Sequence, residues 1–197
     1  MTAATPRPVA DRIRVYTIGH STREFGEVVD MLRANGVDTL VDVRSFPGSR
    51  KHPQWKQASI EHELPPDIDY RWIKAIGGRR HTPAGTPTPN EGWRVKAFRD
   101  YADYMSTDEF HAGLDELVSI AQASTPAIMC SEAVPWRCHR RLITDALLVR
   151  GIEVCHIMSP TSVRPAELTP FARVDGEQIT YPATDESSGD EASPEDS

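Results

Sequence analysis

The sequence predicts an α/β fold: one domain, a mostly parallel central sheet of about five strands, flanking helices, and long irregular loops at the C-terminal strand edge. Three observations carry this expectation. Short β-branched or apolar runs alternate with stretches of helical periodicity in the order β-α-β-α-β-α-α-β-α-β. A strand, a helix and a strand in succession imply a right-handed crossover and a parallel pair. Polar residues of an unusual kind also gather just past the ends of several strands.

Arg14 to Ile18 (RVYTI) is a strand candidate bounded by Gly19. Ser21 with Glu24 three residues on fits a capping box for a helix over about residues 22 to 35, with Phe25, Val28, Val29 and Leu32 on one face and Asn35-Gly36 at its end. Thr39 to Val43 is a second strand. The loop from Ser45 to Pro53 carries Arg50, Lys51 and His52, and a short helix around residues 54 to 63 stops at Pro65-Pro66. Tyr70 to Ile73 is a third strand. Gly77-Gly78-Arg79-Arg80-His81 then opens a loop too rich in Pro, Thr and Gly for regular structure. Trp93 to Met105 and Thr107 to Ala123 have helical periodicity, with Thr107 or Asp108 as the second cap. Ala127 to Met129 is a buried strand ending on Cys130; a loop with Glu132, Pro135 and Trp136 leads into an amphipathic helix that Gly151 closes. Glu153 to Ile157 is the last strand expected.

Composition bounds the rest. A chain of 197 residues suits one domain with a real core. The formal net charge is −7, but residues 183–197 hold six acidic residues and no basic ones, so the body carries −1 without them. Such a tail buries too little apolar surface to offset its chain entropy and is expected to be disordered. Residues 1–12 are expected to be a flexible N-terminus, leaving residues 13–182 as the domain. The opening MTAATPRPVADR lacks the apolar stretch of a signal peptide, and no run approaches membrane-spanning length. Three cysteines, an odd number, point to free or metal-bound thiols in a reducing cytoplasm.

Four segments place polar residues just past a predicted strand: His20 and Ser21; Asp42 and Arg44; Gly77 to His81; Cys130 to His139. In a parallel sheet those ends lie on one edge, where α/β proteins bind ligands. Loops are polar in any case. Arg, His and Cys recur here, however, where Ser, Asn and Lys are the ordinary loop residues.

GHST, LVDVRSFPGSR, the GGRR turn, FRDYADYM and MCSEAVPWRCHRRLI, in that order across residues 14 to 158, resemble the DUF488 family (domain of unknown function 488). The resemblance implies an α/β fold and a bacterial protein, and it supplies no reaction. Residue by residue it points to His20, Ser21, Asp42, Arg44, Arg50, Gly77, Gly78, Arg79, Cys130, Glu132, Cys138, His139 and Arg140.

Three chemistries fit these residues. In the first, Cys130 is a nucleophile toward a small anionic, phosphate- or sulfur-bearing substrate. Arg44, Arg50, Arg79, Arg137 and Arg140 form the anion pocket, Glu132 or His139 carries protons, and His20 supports, as do Ser21, Asp42, Gly77, Gly78 and Cys138. The layout is that of rhodaneses and cysteine phosphatases, although Cys130 to Arg137 is one residue longer than the phosphatase loop, Glu132 repels an anion, and Pro135 lacks a donor. In the second, Cys130, Cys138 and His139 bind zinc or iron, although familiar zinc spacings are absent and helical neighbours such as Cys138 and His139 project about 100° apart. In the third, the cations and Trp55, Trp72 or Trp136 bind a nucleotide or nucleic acid without catalysis; a body charge of −1 favours a compact ligand over a long duplex groove. The sequence requires no cofactor and sets no oligomeric state.

The bland alternatives are specific. Cys155 is a small core residue, and Cys138 is as readily core as reactive. His20 satisfies a loop carbonyl, and Asp42 pairs with Arg44 or Arg140 to hold strand ends together. Trp93, Phe98, Tyr101 and Met105 are core at helical spacing. His62 and His111 take no role.

Overall fold

Alternating apolar residues explain the sheet. In β1 (Arg14–Gly19), Val15 packs into one apolar cluster while Tyr16 and Ile18 enter another. The same alternation sorts Val41 from Leu40 in β2 (Thr39–Asp42) and Ile128 from Ala127 and Met129 in β4 (Pro126–Cys130). Successive side chains on a strand point to opposite faces, so strands apolar at every position are covered on both sides. The computed structural model, which describes residues 13–48 and 51–183, has that architecture. One face of the sheet carries α1 (Phe25–Ala34) and α2 (Gln57–Glu63); the other carries α3 (Lys96–Tyr104), α4 (Asp108–Ala123) and α5 (Arg140–Val149). The expected flexible N-terminus, the acidic tail from residue 184 onward, and Arg50 lie outside the described residues.

With β3 (Asp69–Trp72), β5 (Glu153–Ser159) and β6 (Ser162–Pro165), the strands run in the order β3-β2-β4-β1-β5-β6. All pairings are parallel except β5 with β6. This order creates the crevice. The chain leaves β2 toward β3 on one side, whereas from β4 it crosses past β1 to β5 on the other. The loops after the adjacent strands β2 and β4 therefore diverge, and the space between them is where such sheets bind ligands.

Helix ends follow local chemistry in part. The Val37 N–H reaches Leu32 O at 3.1 Å and the Gly36 N–H reaches Arg33 O at 3.0 Å, closing α1 where Asn35-Gly36 predicts its end. Thr107 caps α4 as expected, its hydroxyl accepting from the Phe110 N–H at 3.3 Å. The capping box at Ser21 does not form. Ser21 has φ +48° and α1 starts at Phe25 behind an uncapped Glu24. The Ser21 N–H instead donates to Ser131 O at 3.0 Å, beside a His20 N–H to Cys130 O bond of the same length.

Glu153–Ser159 is not the last strand. β6 follows it, and a hairpin of β7 (Arg173–Asp175) and β8 (Gln178–Thr180) comes after. These strands are three or four residues long and largely exposed, with Pro165 in β6, so they lack the apolar run that marks a buried strand. The segment they belong to is tied to α5. Asp145, fully buried in that helix, accepts from the Thr169 N–H at 2.9 Å and the Tyr181 hydroxyl at 2.8 Å. The Tyr181 N–H in turn donates to the Asn90 side chain at 2.9 Å.

Candidate active site

Two buried polar groups occupy the strand ends. The first belongs to β2. Arg44, two residues past the strand, folds back on Asp42: Nε lies 2.9 Å from Oδ1 and a terminal nitrogen 2.5 Å from Oδ2. The Tyr70 hydroxyl donates to the same carboxylate at 2.9 Å, and the other guanidinium nitrogen donates to Trp55 O at 2.8 Å. His20 stacks on Trp55 with ring centres 4.4 Å apart. Its Nδ1 sits 3.0 Å from Ser21 O, a pure acceptor, and its Nε2 faces an Arg44 nitrogen, a pure donor, at 3.4 Å. Nδ1 therefore carries the hydrogen and Nε2 accepts. Burial, then the Arg44 charge, lower the His20 pKa to about 4, so the ring stays neutral at physiological pH.

The second group belongs to β4 and the start of α5. Cys130 ends its strand two residues after Ile128, on the α3–α5 face. His139 Nε2 lies 2.7 Å from Val43 O, and a carbonyl only accepts, so Nε2 carries the hydrogen. In the neutral ring Nδ1 is then a bare lone pair, and it faces Cys130 Sγ at 3.9 Å. Cys138 Sγ accepts from the Arg140 N–H at 3.4 Å and from Arg140 Nε at 3.1 Å. The donor atoms of Cys130, Cys138 and His139 all lie within 4.8 Å of one another.

That cluster overturns one sequence argument. Cys138 and His139 are not successive residues of a helix. A 3-10 turn over Pro135–Arg137 precedes them, Cys138 is extended at φ −143° and ψ 169°, and α5 begins only at Arg140. The helical separation of about 100° does not apply, and both side chains reach one point.

Two close thiols share one charge. Cys130 loses its proton well below the ordinary thiol value because Cys138 hydrogen-bonds to it and His139 and Arg140 stand beside it. Burial, and then the bond to Cys130, hold the Cys138 proton well above that value.

Both sulfurs and His139 line a cleft of about 590 Å³. His20 and Arg44 reach the same cleft, as do Ser21, Gly78 and Glu132. Arg79 and Arg137, exposed, line it too, and among the described residues no carboxylate pairs with either. The Arg79 N–H donates to the Ser45 hydroxyl at 2.8 Å, and its guanidinium lies 5.6 Å from the centre of the Phe46 ring. Arg140 is 1 % exposed, its guanidinium spent on Cys138, Thr17 and the carbonyl of Glu132. Glycine is required at 78, where a Cβ would stand 2.4 Å from His139 Nδ1; at Gly77 it would stand 2.7 Å from the Ser45 hydroxyl. Cys155, in β5, packs among the α1–α2 apolar residues, and burial raises its pKa.

Some cleft residues escape sequence reasoning. Ser45, Phe46 and Ser131 line it, and Phe98, expected in the core, is half-buried at its wall. The aromatic of the SFPG segment, exposed between Arg44 and a loop, was the available signal for Phe46. Val43, whose carbonyl orients His139, offers none.

An α/β protein with a thiol–imidazole cluster in a cleft at the sheet's C-terminal edge is the class that fold and site define. Residues 24–147, well over half of the chain, match the family described as "Domain of unknown function DUF488", and the chain belongs to that family. Comparison with curated proteins and with solved structures gave no match. Among the described residues, no helix is long and apolar enough to cross a membrane.

Proposed function

We propose that this protein is an enzyme whose Cys130 thiolate attacks a small anionic substrate. The observation that carries the reading is the bare Nδ1 of His139, held by the Val43 carbonyl, 3.9 Å from Cys130 Sγ at the cleft. A base positioned by a third group beside a thiol is the arrangement that nucleophilic catalysis needs. His139 accepts the proton and returns it to the leaving group. Arg79 and Arg137 hold the anion, because Arg44 and Arg140 are committed to protein partners. His20, neutral and stacked, positions the turn over β1 and carries no charge near pH 7. The test is alkylation with iodoacetate, itself an anion, followed by peptide mapping. Cys130 is expected to be modified first and with a midpoint below that of Cys155, and Cys130→Ser is expected to lose that label. Labelling of Cys130 no faster than of Cys155 would overturn the reading.

A second reading is favoured by the same three donors. Sulfur and nitrogen ligands around a tetrahedral zinc ion sit roughly 3.6 Å apart, and the donors of Cys130, Cys138 and His139 are gathered within 4.8 Å. The Val43 carbonyl on the far ring nitrogen is also the support that metal-binding histidines use. On this reading Cys130, Cys138 and His139 would hold the ion, and it would supply Lewis-acid chemistry to a ligand entering from the cleft. Stoichiometric zinc or iron in protein purified without chelator, lost in Cys130→Ala, would decide for it.

A further inference from the structure

The thiol reading leaves Cys138 without a task, although it is the second sulfur at the same cleft. Cys155 packs in an apolar cluster, with a single long contact of 3.9 Å from its thiol to the Glu153 carboxylate. Cys138 instead receives two hydrogen bonds from Arg140, one from the N–H that opens α5 and one from the guanidinium. Those donors stabilise negative charge on sulfur. Its extended backbone sets it apart from the helix and places its sulfur within 4.8 Å of Cys130 Sγ.

The loop also bears on the class of substrate. A phosphoryl group on Cys130 would need a ring of N–H donors around that sulfur. Pro135 has none. The Arg137 and Cys138 N–H groups are used on Val134 O and Pro135 O at 3.3 and 3.1 Å, and the Arg140 N–H goes to Cys138 Sγ. Four positions of this loop therefore give no donor to such a ring. The unpaired cations of the cleft, Arg79 and Arg137, suit a negative group carried on the arm of a larger substrate, and a cleft of about 590 Å³ has room for one.

We infer that Cys138 is a resolving thiol for Cys130, so that the cleft carries out thiol–disulfide exchange on a small disulfide bearing carboxylates. This rests on the proposed role of Cys130 as nucleophile. The steps balance as follows. Cys130 thiolate attacks one sulfur of the substrate R–S–S–R′, a Cys130–S–S–R bond forms, and R′–S⁻ leaves and takes a proton. Cys138, its proton passing to solvent through the cleft, then attacks Cys130 Sγ, and R–S⁻ leaves and is protonated in turn. The protein dithiol is oxidised to a Cys130–Cys138 disulfide, the substrate is reduced to two thiols, and a small-molecule thiol reductant restores the dithiol.

Glutathione disulfide, which carries carboxylates, is the probe, applied to the full chain after reductant is removed and followed by intact-mass and peptide-map measurements. The wild-type protein is expected to release two equivalents of glutathione and to end with Cys130 joined to Cys138. Cys138→Ser is expected to stop at a glutathione adduct on Cys130 that persists at least about 100-fold longer than in wild type, since the second attack loses its intramolecular advantage. A wild-type adduct on Cys130 that persists with Cys138 free would overturn the resolving role and leave the nucleophile standing. If iodoacetate modifies Cys130 rapidly but glutathione disulfide does not, the substrate class falls alone. If neither reagent reacts at Cys130, both proposals fall.

Discussion

Asp42–Arg44 and Cys130–Cys138–His139 are neighbours on adjacent strands, both buried, and they differ in what is left over. In the first, both oxygens of the carboxylate are engaged: Arg44 and Tyr70 converge on it, and the remaining guanidinium nitrogen meets the Trp55 carbonyl. In the second, one nitrogen lone pair and two sulfurs face each other and the cleft. A polar cluster whose capacity is spent internally holds a fold together; one with capacity to spare, open to solvent, is where a ligand can be met. Charge and burial alone would not have separated them.

The largest effect expected is on stability, and only from the first cluster. Asp42→Asn leaves Arg44 buried without its counter-charge and is expected to cost roughly 3–5 kcal/mol in a denaturant titration. Cys130→Ser is expected to cost about 1 kcal/mol or less. Similar losses from the two would erase the distinction.

Acid should act on the same side. The His20 pKa is about 4 in the fold against 6.5 unfolded, and burial lowers that of His156 to about 4 as well. A depressed pKa contributes stability in full above pH 6.5 and loses it as pH falls toward 4; for His20 this is up to about 3 kcal/mol. Asp145, raised by burial, works in the opposite direction and offsets part of the loss. Melting temperature measured from pH 7 to 4 should fall, and fall less in His20→Gln.

Within the second cluster the expected effects are kinetic. Gly78→Ala drives a methyl group at His139 Nδ1 and should slow Cys130 alkylation near pH 7 about 100-fold, the scale on which displacement of a catalytic group is felt. Arg79→Ala should slow iodoacetate about 10-fold while leaving neutral iodoacetamide unchanged, the signature of a steering charge. An equal loss with both reagents would make Arg79 structural.

Much of the sheet was legible because parallel strands covered on both faces are apolar throughout, as in Ala127 to Met129. The site was legible to the extent that side chains carry it: His20, Arg44, Arg79, Cys130 and His139 all line one cleft. What escaped depends on the backbone. The run WRCHRRLI has helical periodicity, but the turn led by Pro135 delays α5 to Arg140 and leaves Cys138 extended, which reverses the geometric objection to a shared sulfur–nitrogen site. Ser21 has the letters of a cap and the φ of a left-handed turn. The Val43 carbonyl, which fixes the tautomer of His139, belongs to a residue whose side chain says only core.

One consequence concerns where this protein can be shortened. The family match ends at residue 147, inside α5. A chain trimmed there would lose β5, uncovering a whole flank of β1, and would leave the Asp145 carboxylate without the Thr169 and Tyr181 donors that anchor it. The helix that follows directly on Cys138 and His139 would lose its rear brace. The stretch from 148 to 181 is therefore scaffolding for the cleft from behind, and the smallest unit able to keep it in shape is longer than the family boundary.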